Sequence, residues 1–171
     1  MALRHLGATL DIHGGGRDLI YPHHEDEIAQ SEAATGKRFA RFWVHVAPVR
    51  LGGKKMSKSD GNMVFVRDAL REYTPQALRL YLLDVHYRRP FDHEDRRLAR
   101  SADRAAALAE RLRGGRLGPI GRDRATREVL DALNDDLHTE RAIRALERVR
   151  GAEERALASL RTIARRVLGV V

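Results

Sequence analysis

Cysteine is absent from these 171 residues, which excludes a disulfide framework and any thiolate metal site built from this chain alone. Its absence agrees with a cytoplasmic setting. Long apolar runs are also missing. The longest are a few residues, such as VLGVV at 167–171, far short of the ~20 that a membrane-spanning helix needs. No secretory leader is read at the start, because MALRHLGATLDIH places an arginine and two histidines where an apolar core belongs. Lysine is scarce too. It occurs only at Lys37, Lys54, Lys55 and Lys58, while arginine supplies the other 28 of 32 basic residues.

What is present describes a folded protein. Hydrophobic residues make up 43% and charged residues 33% of the chain, a balance that can bury a core. The length suits one core, or one small domain plus part of another. The net charge of +8 points to an anionic partner, with nucleic acid the leading candidate. Arginine-rich coding bias explains the same charge, and both readings stay open because the arginines are spread along the chain.

Two textures divide the sequence. Residues 1–66 hold most of the glycine-rich turns and three candidate strands, in ATLDIH, FWVHVAPV and MVFV. The two early strands would need parallel neighbours, which are few within this stretch, so further strands are expected from sequence outside the chain. Pro22 can open a helix running to Gly36. From Val66 onward the pattern is helical: RDALREY, then PQALRLYLLDVHYRR after Pro75, then an Arg/Ala-rich run from about Glu94 to Arg113. GGRLGPIGRD at 114–123 reads as a loop, followed by helices near 124–134 and 138–170 with Thr139 as a candidate cap. The expected fold class is α/β followed by α, divided at 1–66, 67–95 and 96–171.

Two stretches carry chemistry. In DIHGGGRDLIYPHHEDEIAQSEAATGK, His23 and Glu27 lie four apart and share one helix face, so they can grip one ion. A surface hydrogen bond is the commoner meaning of such a pair. His24 lies off that face and is expected to pack or cap. Asp18 could accept hydrogen bonds from a ribose or simply serve the turn after Gly14, Gly15 and Gly16. The second stretch, GGKKMSKSDGN at 52–62, gathers three of the four lysines in one loop. Glycines permit closure, Ser57 and Ser59 offer hydroxyls, and lysines put compact charge on flexible stems, the ingredients of a polyphosphate clamp. A solvated basic hairpin is the alternative.

Lys55-Met56-Ser57-Lys58-Ser59 matches the KMSKS signature of class I aminoacyl-tRNA synthetases. With DIHGGG, PHHEDEIAQSEAATGK, RDALREYTPQALRLYLLDVHYRRP and LDALNDDLHTERAIRAL, the chain resembles cysteinyl-tRNA synthetase over nearly its whole length. The resemblance implies the C-terminal part of a Rossmann-like, nucleotide-binding catalytic domain, then a helical connecting segment and a helical bundle that contacts tRNA. It implies ATP and cysteine as substrates and tRNA(Cys) as acceptor. Lys58, supported by Lys55, would stabilise charge on departing pyrophosphate. Ser57, Ser59, Asp18 and Gly15 fall at ATP-binding positions. His23 and Glu27 match two ligands of a zinc ion that selects the substrate thiolate over an alcohol.

The family's HIGH-type motif and its ligating cysteines do not occur in this sequence, so a missing N-terminal half is an expected partner. The chain alone is expected not to activate cysteine. Two other readings accompany this one. A non-catalytic, arginine-rich tRNA- or RNA-binding paralogue accounts for the charge. A ligase joining cysteine to glucosaminyl-inositol in mycothiol synthesis shares the fold and the lysine loop, although EDEIAQSEAATGK resembles the synthetase more closely.

Overall fold

The computed structural model describes residues 2–114 and 116–171, which form two compact units. The first comprises residues up to Val49 together with Tyr87–Phe91, and the second comprises Arg50–His86 with Asp92–Val171.

In the first unit a short helix α1 (Ala2–Leu6) precedes strand β1 (Leu10–Gly16), helix α2 (Glu25–Thr35) and strand β2 (Ala40–Val46). The strands pair in parallel, with Leu10 opposite Ala40, His13 opposite Trp43 and Gly15 opposite His45. A parallel pair needs a crossover, and α2 lies within it. Glu25, Asp26 and Glu27 occupy its first turn, where the helix dipole favours carboxylates. Gly36 ends it at φ 63°, the left-handed geometry glycine reaches without strain. Glu32 then accepts from the Phe39 N–H at 3.0 Å and ties the helix to the approach of β2. Leu10 and Ala40 are buried, while the register partners Ile12 and Phe42 are each 66% exposed.

The second unit begins within a hairpin, β3 (Val49–Leu51) and β4 (Lys54–Lys55), paired at Arg50↔Lys55 and Leu51↔Lys54. Its turn residues Gly52 and Gly53 take φ 59° and 76°, the geometry that matches the twist of the flanking strands. The expected strand in MVFV does not form. Residues 62–65 join no strand ladder, and Val66 already starts α3 (Val66–Ala69). An apolar β-branched run becomes a strand only where a ladder receives it.

Helices α4 (Pro75–Leu83), α5 (Asp95–Arg111), α6 (Arg124–Asn134), α7 (Thr139–Arg148) and α8 (Glu154–Thr162) enclose the core, with the short strand β5 (Phe91–Asp92) lying between α4 and α5 in the chain. Thr74 caps α4 by accepting from the Ala77 N–H at 3.2 Å, with Pro75 at the first helical position. Leu80, Leu108, Val129, Ile143, Leu146, Leu160 and Ile163 are fully buried in one cluster. The loop at 116–123 is held against α8 by Gly118 N–H donating to Thr162 Oγ1 and Gly121 N–H donating to Ser159 Oγ. A Cβ at Gly118 would lie 2.9 Å from that of Ala158, so this close approach requires glycine.

Two further expectations fail in this unit. The helix expected over 138–170 is broken between Arg148 and Glu154, where Gly151 is left-handed. Thr139 is not the cap of α7. His138 holds that position, and the Thr139 hydroxyl instead donates to the Leu83 carbonyl at the end of α4.

Arg104 on α5 donates to both oxygens of Asp84 and both of Glu147, at 2.8–3.1 Å. Hydrogen bonds to Asp84 and then Glu147 push its pKa up, so it is a permanent cation between the end of α4 and α7. Arg104→Met should cost about 2 kcal/mol, since two half-buried carboxylates lose their partner. Urea unfolding measures this, and a loss no larger than for the exposed Leu82→Ala would contradict it.

Asp123 caps α6 by accepting from the Thr126 N–H and hydroxyl at 2.9 and 2.6 Å. Burial alone would raise its carboxyl, but these bonds and nearby backbone N–H groups hold it below its ordinary 3.8. A lowered carboxyl contributes stability that is fully present above the unfolded value and is lost as the pH falls through the folded one. Asp123→Ala should therefore cost about 1 kcal/mol at neutral pH. The gap between variant and wild type should narrow as urea midpoints are followed down through the carboxylate range. A gap that stays constant would remove the titrating cap.

Candidate functional sites

The first unit places a ring of imidazoles on its parallel ladder. His13 projects from β1, Trp43 and His45 from β2, and His24 from the turn that precedes α2. His24 is only 5% exposed. It fits because residue 15 is glycine: a Cβ there would lie 2.8 Å from Cε1 and Nε2 of the His24 ring. His24 Nδ1 and His45 Nε2 share a hydrogen bond of 2.9 Å, so one of these rings is neutral and accepts. The His45 pKa is lowered, first by burial and then by the charges of His24, Arg88 and His13. His13 meets Trp43 edge-on at 4.8 Å and His24 at 5.1 Å between ring centres.

Glu27 reaches this group from α2, its Oε2 lying 2.8 Å from His13 Nε2. One ligand atom from each of His13, His24 and Glu27 falls within 4.8 Å of the others, the group among the described residues that could hold a metal ion. His23 is exposed and is not a member of it. His24, expected to pack or cap, packs; it makes no side-chain cap bond to α2. Asp18 lies exposed in the turn that follows β1.

His13, Trp43 and His45 were not singled out from sequence. The available signal was alternation. In FWVHV, Trp43 and His45 are two apart and share one strand face, and the parallel register brings His13 opposite Trp43.

The second unit presents the lysine loop. It leaves the hairpin at Lys55, and Asn62 returns to that point: its Oδ1 accepts from the Ser57 N–H at 2.8 Å and its Nδ2 donates to the Lys55 carbonyl at 3.1 Å. Ser57 Oγ accepts from the Asp60 N–H at 3.2 Å and lies 3.0 Å from Ser59 Oγ. Gly61, at φ 65°, donates to the Lys58 carbonyl and completes the turn. Met56, Ser57 and Asn62 are half-buried, while Lys55, Lys58 and Ser59 are exposed. The arrangement is an ordered backbone that holds cationic stems and hydroxyls in water, suited to an anion carrying several oxygens.

Known proteins resemble this chain over most of its length. Residues 1–103 match the family described as tRNA synthetases class I (C) catalytic domain. The chain is 47% identical over 162 residues to a cysteine–tRNA ligase of Paramagnetospirillum magneticum, covering 91% of this chain and 34% of that protein. It is 37% identical to one from Thermococcus onnurineus, covering 92% and 37%, and 40% identical to one from Geobacter sulfurreducens, covering 100% and 41%. The chain thus spans little more than a third of the length of these relatives. A LeuRS of Agrobacterium radiobacter K84, solved as a ternary complex with tRNA and LeuAMS, has the same fold over 91% of this chain and 25% of that one, at TM-score 0.61 and 20% identity. The match over residues 1–103 covers well over half of the sequence, and the chain belongs to the class I (C) tRNA synthetase family.

Proposed function

We propose that this chain carries part of the machinery of a cysteine–tRNA ligase: the lysine loop that holds the leaving phosphates and one wall of the cysteine site. The observation that supports this most is KMSKS in a turn closed by its own hydrogen bonds within a chain of that family. In this reading ATP reacts with the cysteine carboxylate, pyrophosphate leaves, and the cysteinyl group passes to tRNA. Lys58 stands exposed at the loop apex and stabilises negative charge on the departing oxygens. Lys55 supports it at the hairpin end, and Ser57 and Ser59 offer hydroxyl donors to the phosphates. Asp18 and Gly15 are proposed on the nucleotide side. The arginine-rich helical unit takes the tRNA, and the setting is cytoplasmic. Among the described residues no helix is long and apolar enough to cross a membrane.

Zinc belongs to the same reading. Two imidazole nitrogens from His13 and His24 and a carboxylate oxygen from Glu27 are an ordinary zinc donor set that leaves a coordination position open. The donors present therefore fit the ion. The motif pair His23 and Glu27 shares its carboxylate with this group. When bound, zinc supplies a Lewis acid that favours a thiolate over an alcohol. Trp43, stacked on His45 with the rings 14° apart, fixes the shape of the same wall.

Glu27→Gln should weaken zinc binding at least about tenfold in a competition titration against a chelating dye, with His23→Ala and His24→Ala then assigning the imidazoles. Unchanged affinity in Glu27→Gln would move the ion elsewhere. For the phosphate reading, Lys58→Ala should weaken binding of inorganic pyrophosphate about tenfold, the effect of one lost charge-assisted contact, while Lys37→Ala should leave it unchanged. Equal losses in the two variants would reduce the loop to general basicity.

A further inference from the structure

Lys58 can act on phosphates only if the loop carrying it has a fixed shape, and the residue that fixes this shape lies outside the lysine–serine signature. We propose that Asn62 is the positioning residue of the lysine loop, a clasp that joins its two ends and so sets where Lys58 and the two serine hydroxyls point. The inference rests on the phosphate-binding reading of the loop.

The loop starts from a fixed point. Lys55 is paired with Arg50 in the β3–β4 hairpin, and the Arg50 carbonyl accepts in turn from the His93 N–H at 2.7 Å. Beyond Lys55 no ladder continues, and the next helix starts only at Val66. A flexible segment of this length would sample many shapes at the cost of loop-closure entropy. The Asn62 side chain removes that freedom with two bonds to groups on either side of Met56, the Lys55 carbonyl and the Ser57 N–H.

The chemistry of the pair dictates the residue. A backbone N–H needs an acceptor and a backbone carbonyl needs a donor, and a carboxamide presents both from one planar group. Aspartate at 62 would accept from Ser57 but offer nothing to Lys55, and alanine would offer neither. With the clasp in place, Ser57 is held where its hydroxyl caps the Asp60 N–H and meets Ser59. Lys58 lies inside that ring, with its backbone carbonyl engaged by Gly61 and its side chain exposed.

The test uses the full 171-residue chain with Asn62→Ala, Asn62→Asp and Lys58→Ala. It reads inorganic pyrophosphate affinity by calorimetry, Ser57 amide hydrogen exchange, and the thermal midpoint. Loss of a clasp worth one or two net hydrogen bonds should weaken pyrophosphate about five- to tenfold in Asn62→Ala. Ser57 exchange should rise by a similar factor, and the midpoint, set by the helical core, should stay unchanged. Asn62→Asp should keep part of the Ser57 protection and still lose affinity. Wild-type affinity in Asn62→Ala with a freely exchanging Ser57 would overturn the positioning role, and so would an unprotected Ser57 in the wild type. If the wild type binds no pyrophosphate, the phosphate reading falls by itself and Ser57 exchange decides the clasp: protection lost in Asn62→Ala supports it, and protection retained overturns it.

Discussion

The chemistry of the first unit depends on a missing side chain. Because residue 15 is glycine, the His24 ring can lie against β1 where any Cβ would collide with it. A buried imidazole needs partners, and the parallel register supplies one by setting His45 opposite that same glycine. Glu27 answers His13 from the crossover helix. The described buried residues of this unit include Leu10, Ala40 and His24, so polar pairing among rings takes over work that apolar packing does elsewhere. Such pairing fixes ring orientation, since imidazole hydrogen bonds are directional.

The second unit follows the opposite economy. Its helices bury a continuous cluster from Ala77 to Val170, and polar contacts mainly fix the geometry of the helix ends. Arg104 spans Asp84 and Glu147, Asp123 starts α6, and Ser159 and Thr162 hold the preceding loop. A rigid helical base of this kind suits a loop whose stems must be stationary while its side chains move.

Much of this was legible in sequence, and most of the failures share one cause. Pro75 and Gly36 marked helix ends correctly because a proline at the first helical position and a left-handed glycine are local effects. KMSKS was legible as a loop for the same reason, with glycines on both sides. MVFV was misread because strand formation needs a partner that the run itself does not name. Thr139 has the right chemistry for a cap, but the Leu83 carbonyl, 56 residues earlier, claims its hydroxyl. The imidazole ring was invisible in the same way. His13, His24 and His45 are far apart in sequence until one register and one glycine bring them together.

The uneven use of lysine and arginine then has a structural account. Arg104 shows what arginine does here, with four hydrogen bonds to two carboxylates from one planar group that is held in place by what it binds. On the proposed reading the loop's cation must follow a departing phosphate, which a group held in that way cannot do, and lysine, a point charge on a flexible stem, suits it better. Freedom in the side chain helps only if the backbone beneath it is still, because motion in both would spread the charge over too large a volume to favour one transition state. In the lysine loop the two requirements fall on different residues. The hairpin and Asn62 hold the backbone, and Lys58 keeps its exposure. On the proposed reading the signature lysines are only half of the device, and the loop's shape is set by an asparagine that never needs to touch the phosphate.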